Sequence, residues 1–127
     1  MNTETAVARV LVLESRSFWV EYIKLLMENL PLDVVFVTTA QEAMQIISIQ
    51  DIAILVVSDC VTPQENHVSG EILSFAKNIQ ERFPELAIVA NSSNCNYTKD
   101  LKTAGCGHCS IRSHLGKKIC EILNRPV

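Results

Sequence analysis

Two sets of side chains in this 127-residue sequence have the types and spacing for chemistry. The first is a run of thiols and imidazoles near the C-terminal end. Cys106-Gly107-His108-Cys109 has the spacing of a dithiol–disulfide centre, and Cys106, Cys109, His114 and Cys120 together offer four chemically suitable zinc ligands. The second set stands just after apolar runs: Glu14 with Ser15 after Arg9–Leu13, Asp59 after Ile52–Ser58, and Arg112 after His108–Ile111. Two carboxylates brought together raise each other's pKa unless a cation neutralises them. Oxygen ligands with open water positions suit Mg²⁺, so Glu14 and Asp59 read as a weak Mg²⁺ pair. With Arg112 as a permanent cation, the set matches what phosphoryl transfer onto an aspartate needs, because that transition state is held by electrostatics and positioning. The competing reading is ordinary helix capping and ion pairing.

Which set matters depends on the elements that carry it. Arg9–Leu13 is a short apolar run, β-branched at alternate positions, and reads as a strand buried on both faces. Trp19, Ile23, Leu26 and Leu30 recur at helical spacing, with Ser17 as a candidate cap and Pro31 as the stop. Asp33–Thr39 reads as a second strand. Ala40, Ala43, Met44 and Ile47 share one face of a second helix. Ile52–Ser58 is the strongest strand, followed by a loop punctuated by Pro63 and Gly70. Ile72, Phe75, Ala76, Ile79 and Phe83 mark a third helix that stops before Pro84. Leu86–Ala90 is a fourth strand, and Tyr97, Leu101 and Ala104 lie in register on a short fourth helix. Gly105 stands where a helix end favours a positive φ. His108–Ile111 is a brief fifth strand, and Leu115, Ile119, Ile122 and Leu123 form the last helix.

Five strands alternating with five helices demand a parallel sheet covered on both faces by right-handed crossovers. The expected fold is therefore a doubly wound, flavodoxin-like α/β domain with strand order 2-1-3-4-5. It spans residues 1–127 as one domain, with a core of about 9–124. In such sheets the site lies beyond the carboxyl ends of the strands. That places Glu14, Asp59, Ala90-Asn91 and Arg112 at the functional edge.

The same layout argues against the thiol set. A redox Cys-x-x-Cys needs its first cysteine at a helix N-terminus, where the dipole lowers the thiol pKa. Cys106 instead follows a helix's C-terminal Ala-Gly. Cys120 falls toward the core side of the last helix, where a cysteine acts as a small hydrophobe. Trp19 reads as packing, His67 as solvated, and Cys60 as an inert neighbour of Asp59.

Composition agrees with an ordinary domain. Hydrophobic residues make up 48% and charged ones 20%. The net charge of −3 is too mild to imply nucleic acid. No stretch approaches the ~20 apolar residues of a membrane span, and the N-terminus lacks a secretion signal. A cytoplasmic location follows, where five cysteines stay reduced. From Tyr97 onward, six basic residues face two acids, whereas earlier there are five basic residues and twelve acids. That basic third is either a solvated face or a partner surface.

In order and spacing, residues from Arg9 to about Asn124 resemble the receiver domain of bacterial response regulators. The resemblance rests on Glu14-Ser15 after the first strand, Asp59 after the third, Pro63 four residues later, Gly70 opening the next helix, and Ala104-Gly105 ahead of the fifth strand. It implies that Asp59 is the phosphoacceptor position, Glu14 and Ser15 the acidic pocket, and Arg112 the lysine position. Ala90, with Asn91 as a displaced substitute, and Cys109 fall at the switch positions. The departures are as informative as the matches. Ser15 removes one pocket acid, Ala90 removes a hydroxyl, Cys109 replaces an aromatic, and Arg112 turns a compact ammonium into a planar fork. The loop from Pro63 to Gly70 is also longer than usual. The resemblance thus implies a non-enzymatic two-component (phosphorelay) signalling module, degenerate and working through protein contacts. Its implied partners are a sensor histidine kinase, a phosphotransfer protein or an output protein, with homodimerisation through residues 97–125 as a further option. The alternatives are a receiver phosphorylated on Asp59 with Mg²⁺, and a zinc or thiol redox protein built on Cys106, Cys109, His114 and Cys120. A small-ligand enzyme is disfavoured because no Gly-rich phosphate loop follows the first strand. No DNA-binding segment follows the receiver-like part in this sequence.

Overall fold

The structure, a computed structural model, describes residues 7–58, 70–92 and 95–124, with the side chains of 95–98 left out. The chain runs β1 (Ala8–Leu13), α1 (Ser17–Met27), β2 (Leu32–Val37), α2 (Ala40–Ile49), β3 (Ile54–Ser58), α3 (Gly70–Arg82), β4 (Ala87–Asn91), α4 (Cys95–Thr103), β5 (His108–Ser110) and α5 (Leu115–Leu123). A 3₁₀ turn over Arg112–His114 leads into α5. All five strands pair in parallel, in the order β2-β1-β3-β4-β5. This is the expected doubly wound sheet.

Strand alternation sends side chains into two apolar layers. Leu11, Leu13, Leu55, Val57, Ile88 and Ala90 meet α2 and α3 through Ala43, Ile47, Phe75 and Ile79. Val10, Val12, Ile54, Val56 and Val89 meet α1 and α5 through Ile23, Met27, Leu115 and Ile119. Each fully buried aliphatic side chain contributes about 1.5–3 kcal/mol, so β1 and β3, buried on both faces, anchor the sheet. On the second face α1 and α5 approach closely. A Cβ at Gly116 would meet Leu30 Cδ1 at 3.2 Å, so a side chain there requires Leu30 to give way.

Gly105 fills the role expected of it after α4. Its φ of +120° lies where L-residues are strained, and a Cβ there would meet Gln80 Cβ at 3.0 Å. Several boundaries differ from expectation. Ser17 is the first helical residue of α1, not its cap; Arg16 holds the cap position and makes no side-chain capping bond. One amide at this end is served from outside the helix, because Glu14 Oε2 accepts from the Arg16 N–H at 3.0 Å. Helix α1 ends at Met27, ahead of Pro31, with Glu28 as its C-cap. Strand β4 runs one residue further than expected, through Asn91, and β5 stops before Ile111. Among the described residues no helix is long and apolar enough to cross a membrane.

Candidate functional site

The register brings the expected residues to one edge. Leu13 pairs with Val57, Val57 with Ala90, and Ala90 with Cys109, forming one row across the four strands. One step further toward the carboxyl ends, Ser58 pairs with Asn91 and Asn91 with Ser110. Glu14 continues β1 beyond its last paired residue, its N–H donating to the Val37 carbonyl at 3.0 Å. Arg112 begins the turn that carries the chain from β5 back over the sheet.

Glu14 and Arg112 meet at this edge, as their positions after β1 and β5 require. The Glu14 side chain is fully buried, and Arg112 Nη1 donates to its Oε1 at 3.3 Å. Arg16, which the sequence reading passed over, completes the arrangement. Its Nε and backbone N–H both donate to Glu14 Oε2 at 3.0 Å, and its Nη2 donates to Oε1 at 3.3 Å. Both oxygens of one carboxylate therefore accept two N–H donors each, and two guanidinium groups flank one negative charge. The only sequence signal for Arg16 was its position two residues after the acid, which becomes a contact once the chain turns into α1. Arg112 has a second support: its guanidinium carbon lies 4.0 Å from the centre of the Trp19 ring. A cation stacked at that range gains about 0.5–2 kcal/mol. Trp19 is thus the lid over Arg112 rather than a member of the core stripe formed by Ile23 and Met27.

The remaining candidates divide. Asp59 lies outside the described residues, as do Cys60, Pro63 and His67. Ser15 is exposed at the surface beside Glu14. Ala90 is fully buried in the α2–α3 layer, and Asn91 points by alternation to the opposite, α1–α5 side. Because β4 continues in register through Asn91, no shift of this strand brings Asn91 to the Ala90 position. Asn91 is instead fully buried, and among the described residues neither its Oδ1 nor its Nδ2 has a hydrogen-bond partner; neighbouring Ser58 Oγ has none among them either. Ser58 was not anticipated as part of this polar row, since it read as the last residue of an apolar strand.

The receiver resemblance implies a Mg²⁺ ion, and the described residues do not fit one. A hard dication needs free carboxylate oxygens. Glu14 has given both of its oxygens to arginine donors, Ser15 supplies no charge, and the two guanidinium groups would repel a second cation at the same place. The thiol set is also dispersed. Cys106 is buried within the α2–α3 layer, where burial, with Cys109 nearby adding to it, pushes its thiol up to about 12. A group so raised is a neutral thiol at physiological pH, the opposite of a redox nucleophile. Cys120 is buried on α5, while His114 is exposed. Among the described residues no three His, Cys, Asp or Glu side chains gather closely enough to hold a metal ion.

The strand order, the two helical layers and the placement of these residues at the carboxyl edge define the fold of response-regulator receiver domains. Solved structures bear this out. A response regulator from Thermotoga maritima superposes with a TM-score of 0.76 at 17% identity, covering 94% of this chain and 99% of that one. An orphan response regulator of H. pylori gives 0.71 at 16%, covering 91% and 96%. A receiver-domain protein from Methanospirillum hungatei gives 0.70 at 12%, covering 94% and 92%. No family model and no curated protein matches the sequence. The likeness is therefore one of fold.

Proposed function

We propose that this chain is a receiver-like module of two-component signalling that works through protein contacts rather than through a phosphorylation switch. One observation carries the reading: the Glu14 carboxylate is saturated by Arg16 and Arg112. In this arrangement the positive charge at the strand ends is supplied permanently by two side chains and does not depend on a bound ion. Arg112 is held by Glu14 on one side and Trp19 on the other, so it is fixed in place rather than free to follow an incoming phosphoryl group. The β4 and β5 positions add to this. Ala90 has no hydroxyl to hydrogen-bond, and Cys109 has no ring to turn inward. The reading implies a cytoplasmic partner, a histidine kinase, phosphotransfer or output protein, engaged without a chemical signal at Asp59.

The test is incubation with acetyl phosphate and Mg²⁺, followed by intact-mass analysis. The reading expects an unchanged mass. Gain of one phosphoryl group, abolished in Asp59→Asn, would establish Asp59 as a working phosphoacceptor and end the degenerate reading.

A further inference from the structure

Strand β2 is an edge of the sheet, and ladder parity decides which of its backbone groups face away from β1. The Val37 carbonyl accepts from the Glu14 N–H, so Val37, Val35 and Asp33 turn toward β1. Leu32, Val34, Phe36 and Thr38 therefore turn outward. The chain closes both ends of that outward row itself: the Leu32 N–H donates to the Leu30 carbonyl at 2.8 Å, and the Thr38 N–H to Glu42 Oε1 at 3.2 Å. Between these ends, the N–H groups of Val34 and Phe36 and the carbonyls of Leu32, Val34 and Phe36 have no strand beside them among the described residues. An open edge of this kind is a template for pairing unless charge or proline guards it. Asp33 is the one charged residue of β2, and Arg9 engages it at 2.8 Å on the side facing α2.

The side chains of the same residues select what pairs there. Leu32, Val34 and Phe36 are half-buried on the α1 side of the sheet and, with Met27, floor a groove of about 260 Å³. Two opposite charges border it. Lys24 Nζ lies 5.6 Å from the centre of the Phe36 ring, at the far end of β2. Glu28 is one helical turn further on, toward the start of β2, because α1 runs antiparallel to the strands it joins. Lys24 also meets Glu21 at 3.4 Å, but Glu21 does not line the groove. A surface with a cation at one end, an anion at the other and an apolar centre is complementary to its own copy turned about a two-fold axis.

We propose that β2 pairs antiparallel with β2 of a second copy of this chain, about a two-fold axis at Val34, joining two five-stranded sheets edge to edge. This register alone sets all three outward residues opposite one another. Val34 exchanges both of its backbone hydrogen bonds with Val34 of the second copy, and each Phe36 N–H donates to the Leu32 carbonyl across the axis. On the α1 side Leu32 packs against Phe36 of the second copy, and Lys24 falls beside its Glu28, twice. The six residues of β2 extend about 20 Å, a short interface, so the dimer is weak and depends on concentration. The pairing uses none of the residues at the strand carboxyl ends and so holds whatever the state of Asp59.

The experiment is sedimentation of the purified protein at low salt, from about 10 µM to about 1 mM, with hydrogen exchange read at both ends of that range. A monomer–dimer equilibrium is expected, and the Val34 and Phe36 amides gain protection as the concentration rises. Val34→Lys, which sets two ammonium groups against each other at the axis, is expected to abolish the dimer. Lys24→Glu, at an exposed helical position that leaves folding in place, is expected to weaken it about tenfold, and adding Glu28→Lys is expected to restore it. The charge pair keeps the test decisive even where Val34→Lys lowers the folded fraction. A monomer throughout the range, a dimer as tight in Lys24→Glu as in the wild type, or a double variant no tighter than the single one would overturn the proposal.

Discussion

Glu14 and Arg112 are 98 residues apart in sequence and 3.3 Å apart in space, with side chains 0% and 5% exposed. A buried charge is tolerated only when paired, and this one is paired on both oxygens. Glu14→Gln removes a negative charge that two guanidinium groups share. The expected loss is about 3–5 kcal/mol, read as a lower denaturation midpoint. Arg112→Met should cost less, because Arg16 remains on the carboxylate. The double variant should recover part of the loss, since a buried guanidinium no longer faces a neutral side chain. Strict additivity of the two single changes would mean that the pair is not coupled.

Ser58 and Asn91 are a local defect in an otherwise satisfied sheet. Three of their buried polar atoms lack a hydrogen-bond partner among the described residues, and each group left so costs about 1–3 kcal/mol. Ser58→Ala with Asn91→Leu keeps shape and removes the polarity. A gain in thermal stability is the expected result; a loss would show that these atoms bind ordered water.

Cys106 makes a prediction at high pH. Its thiol is raised to about 12 by burial, against about 8.5 for an unfolded thiol. Between those values the folded state keeps a proton that the unfolded state has lost, so this contribution to stability falls as the pH rises. Cys106→Ala should flatten the alkaline arm of the stability curve. At pH 8 iodoacetamide should label Cys106 only after denaturation, and rapid labelling in the native protein would contradict its buried setting.

At the start of α2, Thr39 and Glu42 form a reciprocal cap. The Glu42 N–H donates to Thr39 Oγ1 at 3.1 Å, while Glu42 Oε1 accepts from the Thr38 N–H and hydroxyl. Those donors lower the Glu42 pKa, the Thr38 backbone most of all. A lowered carboxylate contributes stability above its unfolded pKa and loses it as the pH falls through the folded one. Glu42→Gln should therefore reduce the acid sensitivity of unfolding below about pH 4.3. Thr39→Ala should cost about 1 kcal/mol at neutral pH.

The sheet and its order were legible because the strands are short β-branched runs separated by helical repeats, and parallel crossovers leave few topologies. Glu14 and Arg112 were legible for the same reason: residues that follow strands converge at one edge. Arg16 was not, because its contact depends on where α1 starts. Ser17 looked like the cap, while Glu14 serves the first amide from outside the helix. Trp19 shared the period of Ile23 and so read as core, but at the first turn of α1 that direction leads over the sheet edge to Arg112. Asn91 read as a loop residue because polar residues follow it, whereas the ladder to Ser58 and Ser110 carries β4 through it. The cysteine spacing was a true motif in the wrong place, since Cys106 enters the core from a helix end.

The central claim is that Arg16 and Arg112 hold the Glu14 carboxylate in place of a metal ion. Calorimetric titration of the purified protein with Mg²⁺ tests it most directly. The predicted result is no saturable heat through the millimolar range in the wild type, and none gained when Asp59 is changed to Asn. Stoichiometric Mg²⁺ binding in that range, lost in Glu14→Gln, would contradict it.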